Sequence, residues 1–351
     1  MPQAEQVIPD QASSSIRGEI SGINKAGSFL FARRGEILQV VLTNANKMAE
    51  LILHHFDISP FAEKIRLVLG IKGLAWHSVQ IPLIMPKPKL TALTGGYRKT
   101  PVLQIGAEIF CDTQCIARAL EQHCPEPSLF PAGNEGLALA LSAWSDKAFF
   151  EPGAGLSMGT NQEIPEAVLE DRKAFFNFMD FDTLPTSLPH LYGQLRAHAA
   201  LVDRQLSDGR GYLLGDAASW ADVLAYFVIW MSRANIAKAP GLFSTFASLE
   251  AWEQRMAAIG HGARSEMSED GALAVARDAE ADTAVSVDPT DPLGLSAGQP
   301  VTVAPDDYGI VPVTGELLRL TIDDIAIRRV DPLAGEVVVH FPRIGYRVEA
   351  A

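Results

Sequence analysis

The chain has 351 residues, 48% of them hydrophobic, and its 29 Lys and Arg against 42 Asp and Glu give a formal charge of −13. This length allows two or three domains with ordinary buried cores, and the acidic balance disfavours nucleic acid and anionic membrane surfaces as partners. The most apolar run, 223–231, is too short to span a membrane, so the composition is that of a globular protein without a membrane partner.

Residues 1–47 show no sustained helical or strand periodicity and are rich in Ser, Gln, Gly and Asn. The run 37–42 could form one strand, and Met48 stands just ahead of the first recognisable domain. We therefore interpret residues 1–47 as a disordered or artefactual extension. The beginning of the chain has no secretory signal pattern, which predicts a cytoplasmic protein.

Residues 51–81 predict a strand, a helix and a second strand. The apolar run 51–56 is followed by turn residues and then by a helical period. Ser59 is a good N-cap for that helix, and Pro60 suits its first position, where a missing N–H costs nothing. The second strand runs from 76 to 81. The charged residues of the helix are expected to face solvent: Glu63, Lys64 and Arg66.

The next stretch holds two loops and a hairpin. Three prolines between 82 and 88 exclude regular structure there. The Thr100–Pro101 bond precedes a strand in a tight turn, which makes it a candidate cis peptide. After the hairpin, Asp112 and Thr113 are natural caps for a helix that runs to about Leu120.

The order of these elements resembles the thioredoxin-like domain of the glutathione S-transferases. The motifs that carry the resemblance are Ser59-Pro-Phe-Ala-Glu-Lys, Thr100-Pro-Val-Leu and Asp112-Thr113. The first of them is similar to the omega-class segment that begins Cys-Pro-Phe-Ala, with serine in place of cysteine. Together with the helical part that follows, the resemblance covers residues 50–260.

The resemblance implies a glutathione site. Thr100, before Pro101, would pair its backbone with the cysteinyl amide, Asp112 and Thr113 would hold the γ-glutamyl end, and Ser59 would face the sulfur. The loop cations Lys87, Lys89, Arg98 and Lys99 could meet the glycyl carboxylate, or could be ordinary solvated side chains. A helix N-terminus with a hydroxyl donor favours a thiolate, which supports the role of Ser59 independently. Without a thiol at position 59 no mixed disulfide can form, so omega-type thiol transfer is not expected.

Other interpretations of these residues stay open. Ser59, Asp112 and Thr113 could be plain helix caps, and Thr100–Pro101 is structural in any thioredoxin-like fold. His55 stands, by count, where tyrosine-type family members keep their catalytic tyrosine. Its imidazole could donate to or accept from a thiol, or it could be an ordinary half-buried strand residue.

The helical region follows a linker at 125–134, which is marked by Pro125, Pro127 and Pro131. Helices are predicted within 137–150, 166–181, 191–206, 220–234 and 249–256, with a loop at 151–155 that could face the pocket. Ser219 and Asp222 form a capping box, to which we assign stability. In the family this domain, 135–260 here, supplies the wall for an electrophilic substrate, so aromatic residues such as Trp144, Phe149 and Phe150 are candidates for either wall or core.

Residues 261–288 are acidic and predict a linker or a frayed helix, and 289–351 change to a strand-like period with Gly, Pro and Asp turns. We expect a small antiparallel β module there, which the resemblance does not include. Its role as an interaction surface, a dimer contact or a lid is left open. The fold class is therefore a thioredoxin-like α/β domain (48–124), an all-helical domain and a small β domain.

Two hypotheses of function follow. The first is a glutathione S-transferase that activates the glutathione thiol for attack on a small hydrophobic electrophile, or for removal of a group from it. Glutathione is then the co-substrate and no metal is expected, and the family resemblance implies a homodimer. Cys111, Cys115 and Cys124 form no zinc pattern. Cys111 and Cys115, one helical turn apart, could have a redox role, but buried and inert thiols are the expectation. The second is a non-catalytic module of the same fold that uses the β domain to hold a protein partner.

Overall fold

The computed structural model describes residues 31–33, 36–38, 50–161 and 163–351. The expected extension at 1–47 therefore lies outside the described residues, except for strands β1 (Phe31–Arg33) and β2 (Glu36–Leu38). These two strands pair antiparallel, with Phe31 opposite Leu38. Residues 50–351 form one compact unit.

The first part of this unit is the predicted thioredoxin-like domain. Strand β3 lies parallel to β4 on one side and antiparallel to β5 on the other, and β5 pairs antiparallel with β6. One helix was not predicted: α2 begins directly after the proline-rich loop, at Pro88. The elements are β3 (Leu51–His55), α1 (Pro60–Ile71), β4 (Ala75–Gln80), α2 (Pro88–Thr94), β5 (Val102–Ile105), β6 (Glu108–Cys111) and α3 (Thr113–His123).

The second part is the predicted helical domain, centred on α8. That helix is buried along most of its length, and Ser219 and Asp222 form the predicted capping box at its start. The elements are α4 (Glu135–Ala143), a π-helical stretch (Trp144–Phe149), α5 (Phe150–Thr160), α6 (Glu166–Phe175), α7 (Leu184–Gln205), α8 (Trp220–Asn235), α9 (Ala239–Phe243) and α10 (Ala247–Ile259).

The prediction of a loop at 151–155 is wrong, because those residues lie within α5. Its glycines serve close helix packing: a Cβ built on Gly153 would lie 2.8 Å from Met231, and one on Gly155 would lie 2.7 Å from Leu191. Pro152 follows the π-helical stretch at 144–149 closely, where the regular i→i−4 hydrogen-bond pattern is already interrupted. The segment therefore packs between helices instead of forming a turn.

The C-terminal segment, residues 261–351, extends the thioredoxin sheet at both edges. Strand β7 pairs parallel with β4, and β12 pairs parallel with β6, with Val339 opposite Ile109. The sheet order is β13-β9-β10-β11-β12-β6-β5-β3-β4-β7, and β8 pairs with β10. The elements are β7 (Ala263–Glu266), α11 (Glu269–Asp278), β8 (Ser286–Val287), β9 (Pro300–Pro305), β10 (Val313–Leu320), β11 (Asp324–Asp331), β12 (Gly335–Pro342) and β13 (Tyr346–Ala350).

The strand-rich region is thus present as predicted, whereas 261–288, expected to be a linker or a frayed helix, holds strand β7 and the ordered helix α11. Helix α11 is ordered because Ala272, Leu273 and Ala276 bury one face. They join a core that includes Ile109 of β6 and Val339 of β12. The C-terminal strands therefore share a core with the thioredoxin-like domain.

Helix α1 is buried on its charged side too, which corrects the expectation that this side faces solvent. Glu63, Lys64 and Arg66 are all buried because the helical domain and residue 261 pack against them. Each charge has a partner: Arg66 bonds Glu63 through two nitrogens, at 2.7 and 2.9 Å, and Lys64 pairs with Asp146. Buried charges persist when they are paired in this way.

Candidate functional site

A cavity of about 320 Å³ lies where the loops of the thioredoxin-like domain meet the helical domain and the C-terminal segment. Its wall is mostly apolar with a few charged groups, which is the usual character of a small-molecule site. Seven of the eight predicted site residues line it: Ser59, Lys87, Arg98, Thr100, Pro101, Asp112 and Thr113. The sequence therefore identified most of one wall.

Ser59 lies at the first turn of α1. Its Oγ accepts a hydrogen bond from the Ala62 N–H at 3.2 Å, so it is the N-cap, as predicted. Capping uses the oxygen as an acceptor and leaves the hydroxyl proton free to donate. Among the described residues no acceptor lies within bonding distance of that hydroxyl. Ser59 can therefore cap α1 and donate into the cavity at the same time.

Asp112 caps α3 with a carboxylate oxygen that accepts from the Gln114 N–H at 2.9 Å. Its backbone is left-handed in φ (76°), a conformation that non-glycine residues adopt at a cost and that clusters at functional sites. Burial raises the pKa of this carboxyl, and Lys99 opposes that shift. Thr113 follows at the start of the helix, where free N–H groups suit a carboxylate.

The second oxygen of Asp112 is held by the C-terminal segment. The Tyr346 hydroxyl of β13 lies 3.2 Å from it and 3.0 Å from the hydroxyl of Tyr97. Burial raises the pKa of both tyrosines well above the ordinary value, so both are hydroxyl donors at neutral pH. Sequence analysis missed Tyr346, because it lies 234 residues from its partner.

Lys87 lies against the loop that carries Thr100 and Pro101, whose peptide bond is cis as predicted. Its ammonium is buried and lies 3.3 Å from the Thr100 hydroxyl. Burial, with Arg172 acting in the same direction, lowers the pKa of Lys87 to about 8. The lysine is still mostly protonated at neutral pH, so it provides a poorly solvated positive charge at the cavity wall.

The structure does not bring His55 to the cavity. Its side chain is fully buried against β4 and α1, where Nε2 lies 3.1 Å from the Ser78 hydroxyl and Nδ1 lies 3.2 Å from Arg66. Burial, reinforced by the charge of Arg66, lowers the pKa of His55 to about 3. Both ring nitrogens have structural partners, so His55 is a core residue and has no place in the proposed chemistry.

The aromatic wall comes from three parts of the chain. Phe61 of α1 packs on Phe150 of α5 at 4.9 Å, and Phe150 stacks with Tyr308 of the C-terminal segment at 6.5 Å. Phe175, the last residue of α6, and Phe176, which follows it, complete the wall at 5.1 and 5.6 Å from the Tyr308 ring. The sequence analysis did not predict that Tyr308 belongs to this wall. The predicted wall residue Phe149 lies in the core and stacks on Trp144.

The described ranges also contain possible metal ligands and three cysteines. No group of three or more His, Cys, Asp or Glu side chains there is placed to hold a metal ion. Burial raises the pKa of the Cys111 and Cys115 thiols well above the ordinary value, which keeps both protonated and unreactive. None of the described helices is long and apolar enough to cross a membrane.

Comparisons with known proteins agree with this architecture. A family model described as glutathione S-transferase, N-terminal domain, matches residues 53–128, and one described as glutathione S-transferase, C-terminal domain, matches 178–259. The crystal structure of a GST-like protein from Pseudomonas syringae is 39% identical, with a TM-score of 0.72. The match covers 86% of this chain and 100% of that one, so it includes the C-terminal segment.

Two curated relatives match over shorter stretches. Glutathione S-transferase U4 of Arabidopsis thaliana is 21% identical over 138 residues, which cover 39% of this chain and 61% of the relative. FtsZ-localized protein A of Caulobacter vibrioides is 28% identical over 106 residues, which cover 28% of this chain and 46% of the relative. The chain thus matches less than two thirds of the length of either protein.

Proposed function

This chain belongs to the glutathione S-transferase family, and we propose that it binds glutathione in the cavity and uses Ser59 to hold the thiol as a thiolate. The thiolate then attacks a small electrophile lodged against the aromatic wall. The observation that carries this proposal is the cavity itself, because seven residues expected from the sequence to bind glutathione line it together. Ser59 is among them, and its hydroxyl at a helix N-terminus is the group that would stabilise the thiolate.

The charges along the cavity suit the ends of glutathione. Asp112 and the N-terminus of α3, both at the cavity wall, can hold an ammonium and a carboxylate together. Lys87 and Arg98 are cations of the same wall that can meet the glycyl carboxylate. In this proposal the backbone of Thr100 pairs with the cysteinyl unit, and the sulfur binds beside Ser59.

Ser59 has to lower the thiol pKa by a modest amount. A shift from about 8.5 to about 6.5 corresponds to about 2.7 kcal/mol of preferential thiolate stabilisation. A charge-assisted hydrogen bond contributes about 1.5–3 kcal/mol, and a helix N-terminus adds about 0.3–1 kcal/mol. In the reaction a sulfur–carbon bond forms, the leaving group departs with its bonding electron pair, and the thiol proton passes to solvent.

Replacing Ser59 with alanine tests this role. We expect the rate of conjugation with a reactive aryl halide to fall by about a hundredfold, since one donor to the reacting anion is lost. The dissociation constant of glutathione should stay within about threefold, because the other contacts remain. Ser59→Thr, which keeps the hydroxyl and the cap, is the matched control. A Ser59→Ala enzyme with an unchanged rate would remove Ser59 from the mechanism.

Tyr346 is expected to act through Asp112. Tyr346→Phe removes the donor to the carboxylate, and we expect glutathione to bind roughly tenfold more weakly, which is the usual effect of losing a hydrogen bond to a charged group. Tyr97→Phe keeps that donor and should cost less than threefold by the same reasoning. Titration calorimetry measures both. Equal losses in the two variants would show that Tyr346 matters only for folding.

A second candidate function is a glutathione-transferase-like module that holds a protein partner. It is favoured by the similarity to a protein whose name places it at FtsZ, and by a C-terminal segment that exposes Ile322 and Ile344 to solvent. Retention on immobilised glutathione separates the candidates. Retention that Asp112→Asn abolishes favours the transferase, whereas a wild-type chain that is not retained favours the module. A homodimer and a cytoplasmic location stay predictions.

A further inference from the structure

Three cations at the cavity share a single carboxylate. Asp171 of α6 accepts from Arg98 at 2.9 Å and from Arg172 at 2.5 Å, and Lys87 lies near both arginines. All four side chains line the cavity. The formal charge of the cluster is 3 − 1 = +2. Glu163 lies at the exposed rim and forms no ion pair with any of these cations among the described residues.

The two arginines are held in place and keep free donors. Both lie over the ring of Phe175, with guanidinium carbons 4.6 Å (Arg98) and 5.7 Å (Arg172) from its centroid. Arg172 also donates to the Leu83 carbonyl at 3.4 Å, which fixes it against the proline-rich loop. A guanidinium has five N–H donors, so each arginine retains donors for a ligand. Their side chains are only 16% exposed, so water compensates the charge poorly.

Glutathione alone does not balance this charge. Its glycyl carboxylate contributes one negative charge, and the cluster is left at +2 − 1 = +1. The remaining charge lies beside the apolar wall formed by Leu83, Val168 and Phe175. A partly desolvated positive charge next to an apolar surface favours a ligand that combines an apolar body with one negative charge.

We propose that the acceptor of this enzyme is a hydrophobic organic acid, whose carboxylate binds Arg172 while its apolar body lies on Phe175 and the neighbouring wall. This inference rests on the proposed function, since it names the substrate class of the same site. Arg172 is a substrate-binding residue in this account. A carboxylate suits it because the guanidinium fork accepts two oxygens side by side.

The test uses two probes of the same size, 4-chloro-3-nitrobenzoate and 4-chloro-3-nitrobenzamide. They are titrated into the full chain saturated with S-methylglutathione, which fills the glutathione subsite and cannot react. We expect the carboxylate to bind roughly ten- to a hundredfold more tightly than the amide, the range of one charge-assisted contact. Arg172→Met should abolish that preference, while Asp171 keeps its pair with Arg98.

Lys173→Met is the matched control, because Lys173 lies on the same helix, is exposed and does not line the cavity. It changes the net charge by the same amount and should leave the preference intact. Arg172→Lys, which keeps the charge, serves if Arg172→Met fails to fold, and should retain only part of the preference. Equal binding of the two probes to wild type, or a preference unchanged in the Arg172 variants, overturns the proposal.

Binding of S-methylglutathione is measured separately and tests the proposed function. If S-methylglutathione does not bind, the proposed function fails, and the ratio of the two probes is then measured on the chain without it. A carboxylate preference that depends on Arg172 still supports the acid site in that case, and no preference overturns it. If S-methylglutathione binds and the probes do not differ, the transferase proposal stands and the substrate class is wrong.

Discussion

Asp112→Asn is expected to weaken glutathione binding about a hundredfold while the fold is retained. The asparagine oxygen can still accept from the Gln114 N–H, so the cap of α3 survives. What is lost is the negative charge that faces the γ-glutamyl ammonium, and truncating one partner of a buried charge pair costs about 2–5 kcal/mol. Titration calorimetry with glutathione measures the change.

A modified ligand makes this prediction specific. Glutathione without its α-ammonium should bind wild type about a hundredfold more weakly, and Asp112→Asn should weaken that analogue no further, because the interacting pair is already broken. Asp307→Asn is the control, since Asp307 lines the same cavity but is paired with Lys99 in a half-exposed position. If Asp307→Asn weakens glutathione binding as much as Asp112→Asn does, the effect comes from the net charge of the cavity and the specific role of Asp112 is contradicted.

Acidification from pH 7 to pH 5 is expected to destabilise the fold by about 4 kcal/mol through two buried histidines, about 2 kcal/mol from each. Burial lowers the pKa of His54 to about 4 and that of His55 to about 3, from an ordinary 6.5. Below pH 6.5 the two histidines therefore bind protons in the unfolded chain but not in the folded chain. The free energy of unfolding falls as the pH drops below 6.5, until the pH reaches the pKa values of the folded chain, about 4 and about 3.

Urea unfolding at pH 7, 6 and 5 checks this. In the double variant His54→Gln, His55→Gln the free energy of unfolding should depend much less on pH. The readout is the slope of that free energy against pH, so the absolute stability of the variant does not matter. His190→Gln, at an exposed position, is the control for the substitution itself. The account of these histidines as neutral core residues is contradicted if the double variant retains the wild-type slope.

Local signals explain which site residues could be found from the sequence. Ser59 and Asp112 were identified because an N-cap is a local choice between a side chain and a backbone within three residues. The Thr100–Pro101 turn is equally local. His55 was misassigned because counting along a strand does not show where its partners lie. They come from β4 and α1, and they hold both ring nitrogens.

Contacts between distant parts of the chain could not be found this way. The strand period beyond residue 289 predicted strands, but nothing local shows that β12 pairs with β6, or that Tyr346 reaches Asp112 from 234 residues away. The burial of Lys64 has the same origin, since its partner Asp146 belongs to another domain. Patterns of polarity indicate faces and leave the choice of partner to tertiary packing.

The thiol pKa of bound glutathione is the measurement that tests the central claim most directly. Thiolate absorbance is followed against pH for glutathione bound to wild type and to Ser59→Ala. We expect the bound thiol of wild type to titrate well below the ordinary value of about 8.5, and Ser59→Ala to restore that value. A bound thiol with an unshifted pKa in wild type, or no binding at millimolar glutathione, would contradict the account.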